Sequence, residues 1–448
     1  MTDVSTQTSE QDFDIDDDHD DHDEISDDET QIILFAEQKD ADEFEESLLE
    51  IIDQYLENHL ANYSDPNFTE TLCEDVYEIM NASFNCDENK DLVIEIAESC
   101  VAFLYHVYEI PPRYEQPDNE QPDKEIESKS LLEKIENLRN IPQPQQRTPE
   151  WYTFRQEIIT ASNIWKIFAS DAQFNSIVYE KCQPMKMYSS SNVDSPMHWG
   201  VKYEPLTAMI YQRHNKTLLE EFGCIRHPKY PWIGASPDGI NISTENPWLL
   251  GRMIEIKNIV NREIDGNPSV AYWIQMQIQM ETCDLEECDF VETQFKEYES
   301  AVEFWDSLTS QANDTDDPHE KGIILMFMDT QTCSVKYEYM PLDIKLTPRL
   351  TDEWIFSTIH RVEKESESHQ YQKTIYWYLD IYSCVLVKRN RRWFEAAAPI
   401  IENAWKTIEK ERVEGHSHRA PKSRANDGKR ISKNLLLEIV KMDADSKV

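Results

Sequence analysis

The sequence predicts an α/β fold preceded by an acidic, all-helical region, and three observations carry that prediction. Between Gln31 and Glu109 apolar residues recur at three- and four-residue intervals. Between residues 150 and 280, short apolar strands alternate with amphipathic helices. Charge divides the chain as well. Its 448 residues carry 87 Asp plus Glu against 43 Lys plus Arg, a formal net charge of -44. Residues 1–130 hold 40 acidic and 5 basic side chains, which accounts for 35 of the 44 negative charges. The remaining residues are close to balance, so the overall charge speaks against a uniformly basic DNA-binding surface but not against nucleic acid.

Composition sets further bounds. At roughly 150 residues per domain the length implies about two or three domains. Hydrophobic residues make up 40% of the chain and glycine contributes only nine residues, enough apolar material for a real core. The nine Cys are scattered without a C-x-x-C pair, which fits reduced thiols in an intracellular protein rather than a zinc or iron–sulfur cage. The first thirty residues lack an apolar segment, and no run of 18 apolar residues exists, so neither a signal peptide nor a membrane span is expected.

Residues 1–30 contain fourteen acidic residues and no Lys or Arg and read as a disordered acidic tail. Residues 31–110 read as an acidic helical domain, with Phe44, Leu48, Leu49, Ile51, Ile52, Tyr55, Leu56 and Leu60 on the inward face of its first helix. In its last helix, Leu92, Ile94, Ile96, Val101, Phe103, Leu104 and Val107 are expected to supply that face. Residues 111–146, rich in Pro and Gln around a short helix at 128–139, read as a linker. The main domain spans 147–414, and 415–448 reads as a basic flexible tail. The stretch from Lys388 to Lys433 carries thirteen Lys or Arg against six acids and is the expected contact to a phosphate backbone.

Chemistry concentrates in four polar clusters. Pro237-Asp238-Gly239 follows a short strand at 232–236, and Met253-Ile254-Glu255-Ile256-Lys257 forms a second, apolar strand. Strand alternation puts Glu255 and Lys257 on one face and Ile254 and Ile256 on the other. A buried strand rarely spends two same-face positions on ionised groups unless they pair or bind metal. With Asp238 on the neighbouring strand the set becomes a hard-oxygen site suited to Mg²⁺ or Mn²⁺, beside a lysine able to orient water. A plain Glu255–Lys257 ion pair is the bland alternative.

Three flanking clusters are weaker signals taken singly. Glu204 lies one turn from Gly200 on a helix running from Met197 to about Arg213, where the glycine would let the helix approach the sheet; a solvated carboxylate is the alternative. His198 on the same helix reads as a packing or capping residue, with a metal ligand as the alternative. Arg155 and the Thr160-Ala161-Ser162-Asn163 run suit a phosphate at a helix start, or else an ordinary cap. Gln275 and Gln279 share one face of a helix after the E-x-K strand, as holders of a water or phosphate oxygen or as a polar surface stripe.

Together these pieces resemble the PD-(D/E)XK nucleases, specifically the lambda-phage-type exonuclease or YqaJ-like viral recombinase family in its large-DNA-virus branch. The resemblance covers about residues 150–283 and rests on five motifs in family order. They are W-x3-R-x3-I-T-A-S at 151–162, W-G-x2-Y-E at 199–204, S-P-D-G at 236–239, E-I-K at 255–257 and A-Y-x2-Q-x-Q at 271–277. It implies a restriction-endonuclease-like core, a mixed central sheet flanked by helices. It also implies a metal-dependent enzyme that digests one strand of linear double-stranded DNA from its 5′ end. Asp238, Glu255 and the Ile256 backbone carbonyl would hold one Mg²⁺ or Mn²⁺ ion, and Glu204 would contribute to a second. Lys257 would activate water and Gln275 would support the site, while Arg155, Ser162 and Ser236 would hold the 5′-phosphate. The implied partners are DNA ends, a single-strand annealing protein and further copies of the chain in a homo-oligomer, with no membrane. The implied setting is viral recombination or repair in the host cytoplasm or a virus factory.

The acidic helical region and an insertion around Asp314-Thr315-Asp316-Asp317-Pro318 have no counterpart in the compact phage enzyme. The acidic first 130 residues would mimic DNA, dock a basic partner or simply solubilise the chain. Two rival functions are an endonuclease or CRISPR-associated-type nuclease on the same fold, and a catalytically idle DNA-binding scaffold.

Overall fold

The computed structural model describes residues 38–117, 128–144, 148–184, 195–309 and 320–421. The expected acidic tail at 1–30, the insertion at 314–318, parts of the linker and the C-terminal tail from 422 onward lie outside the described residues. Three helices lead: α1 (Gln38–His59), α2 (Phe68–Phe84) and α3 (Lys90–Val107). Then follow α4 (Ser128–Asn140), α5 (Pro149–Gln156), β1 (Ile159–Thr160), α6 (Ala161–Phe168), α7 (Asp171–Cys182) and α8 (Pro196–Asn215). The central segment comprises β2 (Thr217–Glu220), β3 (Ile225–Arg226), β4 (Ile233–Ala235), β5 (Gly239–Thr244), β6 (Met253–Asn258), α9 (Val270–Cys283) and β7 (Glu287–Glu297). The chain continues through α10 (Ala301–Thr309), β8 (Lys321–Asp329), β9 (Val335–Tyr339), α11 (Pro348–Glu365), β10 (His369–Lys388) and α12 (Arg391–Glu414).

Helix starts obey a local rule. Ser195, Thr148 and Thr347 each accept a hydrogen bond from a backbone N–H three residues on, and each is followed by a proline in the first turn. Asn390 caps α12 in the same way, accepting from the Trp393 N–H at 2.9 Å.

Seven strands form a mixed sheet in the order β2-β5-β6-β7-β10-β8-β9, with β6 and β7 parallel and the other neighbours antiparallel. Helices cover both faces, as expected for a PD-(D/E)XK core. On one face α8 presents Tyr203, Leu206 and Ile210 to Phe295, Ile324 and Trp377, and its Tyr211 to Ile254, Ile256 and Val291. On the other, α9 buries Trp273, Ile274 and Ile278 among Met253, Phe290 and Val385. Both faces of β6 are therefore dry, and polar groups there must find partners within the protein.

A second, small sheet, β1-β4-β3, lies beside the first. It aligns Ile159 with Ile233 and Thr160 with Gly234 in parallel. Gly234 packs closely there: a Cβ would sit 2.3 Å from the Ile158 Cδ1, which would have to shift, and 3.2 Å from the Ile225 carbonyl. The contact puts the start of α6 next to the turn that carries Ser236 and Asp238.

Phe44, Leu48, Ile52 and Leu56, spaced four apart, are buried on α1 as the periodicity predicts. On α3 the inward line is instead Val93, Ala97, Cys100, Val101 and Leu104, while Phe103 and Val107 are exposed. That helix is apolar on more than one side, so spacing alone does not select the buried one. The three helices share one continuous core with α9 and α12. Tyr63, just after α1, meets the Trp273 ring at 5.8 Å, and the Trp393 Nε1 donates to the Ala61 carbonyl at 3.0 Å.

The basic stretch opens with three cations that are paired within the fold, and its part from 422 onward lies outside the described residues. Lys388 pairs with Glu115, Arg391 with Glu286, and buried Arg389 with Glu281, Asp284 and Glu286. The end of α9 and the turn after it bring carboxylates against Arg389 and Arg391, and Glu115 meets Lys388, so these three cations are paired within the fold. All nine Cys are free thiols. Among the described residues no helix is long and apolar enough to cross a membrane.

Candidate active site

Antiparallel pairing of β5 with β6 sets Gly239 opposite Ile254, which brings Asp238 alongside the E-I-K strand. The Asp238 Oδ2 accepts the Ile256 backbone N–H at 2.7 Å. Ile254 and Ile256 point into the α8 core, whereas Glu255 and Lys257 face α9. Glu255 is fully buried. Its Oε1 receives the Lys257 ammonium and the Gln275 amide (2.7 Å), and its Oε2 receives the Gln279 amide (2.7 Å). The Lys257 ammonium also lies 4.9 Å from the centre of the Tyr272 ring, a cation–π contact.

The glutamine pair is thus not a surface stripe: each side-chain N–H group binds Glu255. Gln279 is buried and also donates to the Ser236 carbonyl at 3.2 Å, tying the E-I-K strand to the P-D turn. An uncharged amide can hold a carboxylate in a dry site by hydrogen bonds alone, without adding charge.

Beside this cluster opens a cavity of about 430 Å³. Its lining includes Asp238, Gln275 and Gln279, Glu204 with Val201 and Pro205 from α8, Ser236, and Trp151, Arg155, Thr160 and Ser162 from the small-sheet side. Of the site residues named from the sequence, Arg155, Ser162, Glu204, Ser236, Asp238 and Gln275 line this space, while Glu255, Ile256 and Lys257 are not in its lining and Glu255 is held by Gln275 and Gln279. Arg155 lies over the Trp151 ring at 4.6 Å, and no carboxylate pairs with its guanidinium among the described residues. Ser162 is exposed, its Oγ 3.2 Å from the Thr160 Oγ1, and Asn163 donates to that same Thr160 oxygen at 3.0 Å. The Ser236 hydroxyl donates to the Phe222 carbonyl at 3.0 Å.

The electrostatics are unbalanced. Burial raises the Asp238 carboxyl well above its ordinary range, and the nearby Glu255 and Glu204 charges push it further, against Lys257 and the Ile256 N–H. Glu204 is raised for the same reasons, by lost solvation and then by Glu255. Burial would lower Lys257, but the Glu255 and Asp238 charges overcome it and hold the ammonium protonated. Three carboxylates thus face one cation.

Two sequence expectations on α8 resolve differently. Gly200 has open space where its Cβ would be, so it is not there to admit the sheet; α8 is held instead by Asn258, which donates to the Gly200 carbonyl at 3.3 Å and accepts from Thr207 at 2.7 Å. His198 is a packing residue, buried and 2.7 Å from the Tyr337 hydroxyl. Sequence reasoning missed Glu221, a fourth carboxylate on the cavity wall, which contributes to the raised Glu204. It follows β2 directly and belongs to none of the five motifs.

Comparison with known proteins bears on this arrangement. A family model, the YqaJ-like viral recombinase domain, matches residues 150–286. The chain carries a YqaJ-like viral recombinase domain. That domain contains every residue of the cavity described above. The chain is also 28% identical over 302 residues to the uncharacterized protein R354 of Acanthamoeba polyphaga mimivirus, a relative from a large DNA virus. The match covers 61% of this chain and 54% of that protein, so the chain spans about half the length of the curated relative it matches. Among solved structures it is similar to the alkaline exonuclease LHK-Exo of Laribacter hongkongensis, alone and in complex with dAMP, at 18% identity and a TM-score of 0.34. Each of those matches covers 59% of this chain and 94% of the other.

Proposed function

We propose that the YqaJ-like domain is a divalent-metal-dependent exonuclease that hydrolyses one strand of linear double-stranded DNA from its 5′ end. The observation that carries this reading is the convergence of Asp238, Glu255 and Glu204 on Lys257, beside a cavity whose lining also presents Arg155, Ser162 and Ser236. The carboxylates suit a metal, and the guanidinium with the two hydroxyls suits a phosphate.

The donor set fits a hard cation. Asp238, Glu255 and the Ile256 carbonyl are oxygen ligands of the type that Mg²⁺ or Mn²⁺ takes, with Glu204 available to a second ion. Burial first, and then the neighbouring carboxylates, raise the Asp238 and Glu204 carboxyls, a cost that such an ion would relieve. Among the described residues, no three His, Cys, Asp or Glu side chains are grouped closely enough to cage an ion as they stand. When bound, the metal would polarise the scissile phosphate and lower the pKa of a water. The chain's own residues would do the rest. Lys257, kept protonated by its neighbours, would donate to the attacking water or to a phosphate oxygen where charge develops. Gln275 and Gln279 would fix Glu255, and Arg155 with Ser162 and Ser236 would hold a 5′-phosphate by charge-assisted hydrogen bonds. The implied annealing partner and homo-oligomer belong to the same proposal.

The test compares 5′-phosphorylated linear duplex with closed circular DNA, with and without Mg²⁺, for the wild type and Lys257→Ala. Mg²⁺-dependent loss of the linear duplex only, abolished in the variant, supports the reading. Equal activity in the variant sinks it, and cleavage of the circle favours an endonuclease.

A further inference from the structure

Behind Arg155, three helix ends are tied together. Arg155 and Gln156 close α5, Lys181 and Gln183 lie at the end of α7, and Arg412 comes from the last turn of α12. The Lys181 Nζ donates to the Arg155 carbonyl at 2.7 Å. The Gln156 side chain donates to the Lys181 and Gln183 carbonyls (2.7 and 3.0 Å), and Arg412 donates to the Gln156 and Lys181 carbonyls (2.6 Å, and 3.1 and 3.0 Å). Carbonyls at helix C-termini lack intrahelical donors and carry partial negative charge, so cations there are favourable.

A cap alone does not account for Lys181. Its side chain is buried, at 5% exposure, and among the described residues no carboxylate lies within ion-pair distance of it. Glu180, next in sequence, faces Lys166 of α6 at 3.5 Å. The groups around the ammonium are Arg155 from α5, Arg412 from α12, Cys224 from the loop before β3, and Glu180 from its own helix. A buried ammonium among cations is costly unless an anion offsets it. The cavity in front of Arg155 is where an anion would sit.

We propose that Lys181 is a positioning residue of the phosphate pocket: it fixes Arg155 through the backbone and supplies a buried positive charge that a bound 5′-phosphate balances. Arg412 braces the neighbouring Gln156 and Lys181 carbonyls from α12, outside the YqaJ-like domain. The inference rests on the phosphate-binding part of the proposed function, not on its hydrolytic part. Burial lowers the Lys181 ammonium to about 8, with Arg155 and Arg412 adding to the effect against Glu180. The charge is therefore present below that pH and lost above it. A terminal phosphate, with a second pKa of about 6, is mostly dianionic from about pH 7 upward.

The experiment measures binding of a short blunt duplex, bearing either 5′-phosphate or 5′-hydroxyl ends, to the full chain without added divalent metal. Wild type should prefer the phosphorylated ends about tenfold. Lys181→Met and Arg155→Ala should each abolish that preference, and Arg412→Met should reduce it. Raising the pH from about 7 to about 9 should erode the wild-type preference and leave Lys181→Met flat. A preference retained in Lys181→Met but lost in Arg155→Ala overturns the proposal, as does equal binding of both ends by wild type. Should Lys181→Met fail to fold by circular dichroism, Arg412→Met and the wild-type pH profile decide. Unchanged preference in both then overturns it. Phosphate preference without Mg²⁺-dependent cleavage would defeat the hydrolase reading and leave this one standing.

Discussion

Two buried charge clusters sit back to back across β6 and β7, and they are built on opposite principles. On the α8 face, Arg252 pairs with Asp289 (3.3 Å) and Glu287 (2.8 Å), while the second Asp289 oxygen accepts the Tyr211 hydroxyl at 2.7 Å. Tyr211 accepts in turn from Asn241, which accepts from Thr217. Burial raises the Asp289 carboxyl, but Arg252 and Tyr211 pull it back. On the α9 face, burial raises Asp238 and two further carboxylates push it in the same direction. The first cluster fills both oxygens of its buried acid from within the fold. The second leaves Asp238 with one backbone donor and three acids around one lysine, so it stays short of positive charge until a ligand supplies it. Satisfied buried charge marks structure, and the shortfall marks a site.

Breaking the satisfied cluster should cost most in stability. Asp289→Ala strips Arg252, which is 4% exposed, of one of its two acids, and removing one partner from a buried pair costs about 3–5 kcal/mol. Urea unfolding would measure it, with nuclease activity per folded molecule retained; a cost under about 1 kcal/mol would remove the contrast. In the unbalanced cluster the large effect should fall on chemistry. Lys257→Ala should lower Mg²⁺-dependent duplex degradation by about 10²–10³-fold, the range for losing one preorganised charge-stabilising donor.

Added Mg²⁺ should raise the wild-type melting temperature, by about 2.7 kcal/mol of stability at a hundredfold excess over Kd, and should do much less for Asp238→Asn. An equal rise in both would separate the metal from this site. Without metal, Asp238→Asn should be more stable than wild type at neutral pH by about 1 kcal/mol, because it removes a repelled charge and keeps an acceptor for the Ile256 N–H. The sign with pH is definite. The folded carboxyl titrates above its unfolded value, so its ionisation costs stability as pH rises through the folded pKa. The advantage of Asn should accordingly disappear in acid, and an advantage that persists there would point to packing instead.

Much of the site was legible because strand alternation is rigid. Once Met253–Asn258 is a strand, Glu255 and Lys257 must share a face, and a hairpin-length connection returns Asp238 to it. The partners of Gln275 and Gln279 were less legible. Their shared helix face follows from spacing, but whether it meets solvent, phosphate or Glu255 depends on how α9 seats on the sheet. Phe103 and Val107 show the same limit, since an apolar helix has several faces that satisfy the period. Arg389 and Arg391 read as basic in sequence, yet residues a hundred positions earlier neutralise them.

By itself the sequence determined the α/β class, the acidic helices, the inward line of α1, and the order and local geometry of the five motifs. These are short-range properties of period, turn chemistry and spacing. Only the tertiary structure decided which charges are spent and which remain available, because neutralisation is settled by distance in space. It paired Lys388, Arg389 and Arg391 with acids, balanced Asp289, left Asp238 and Glu204 short of cations, and put Lys181 behind Arg155 with a carbonyl for its partner.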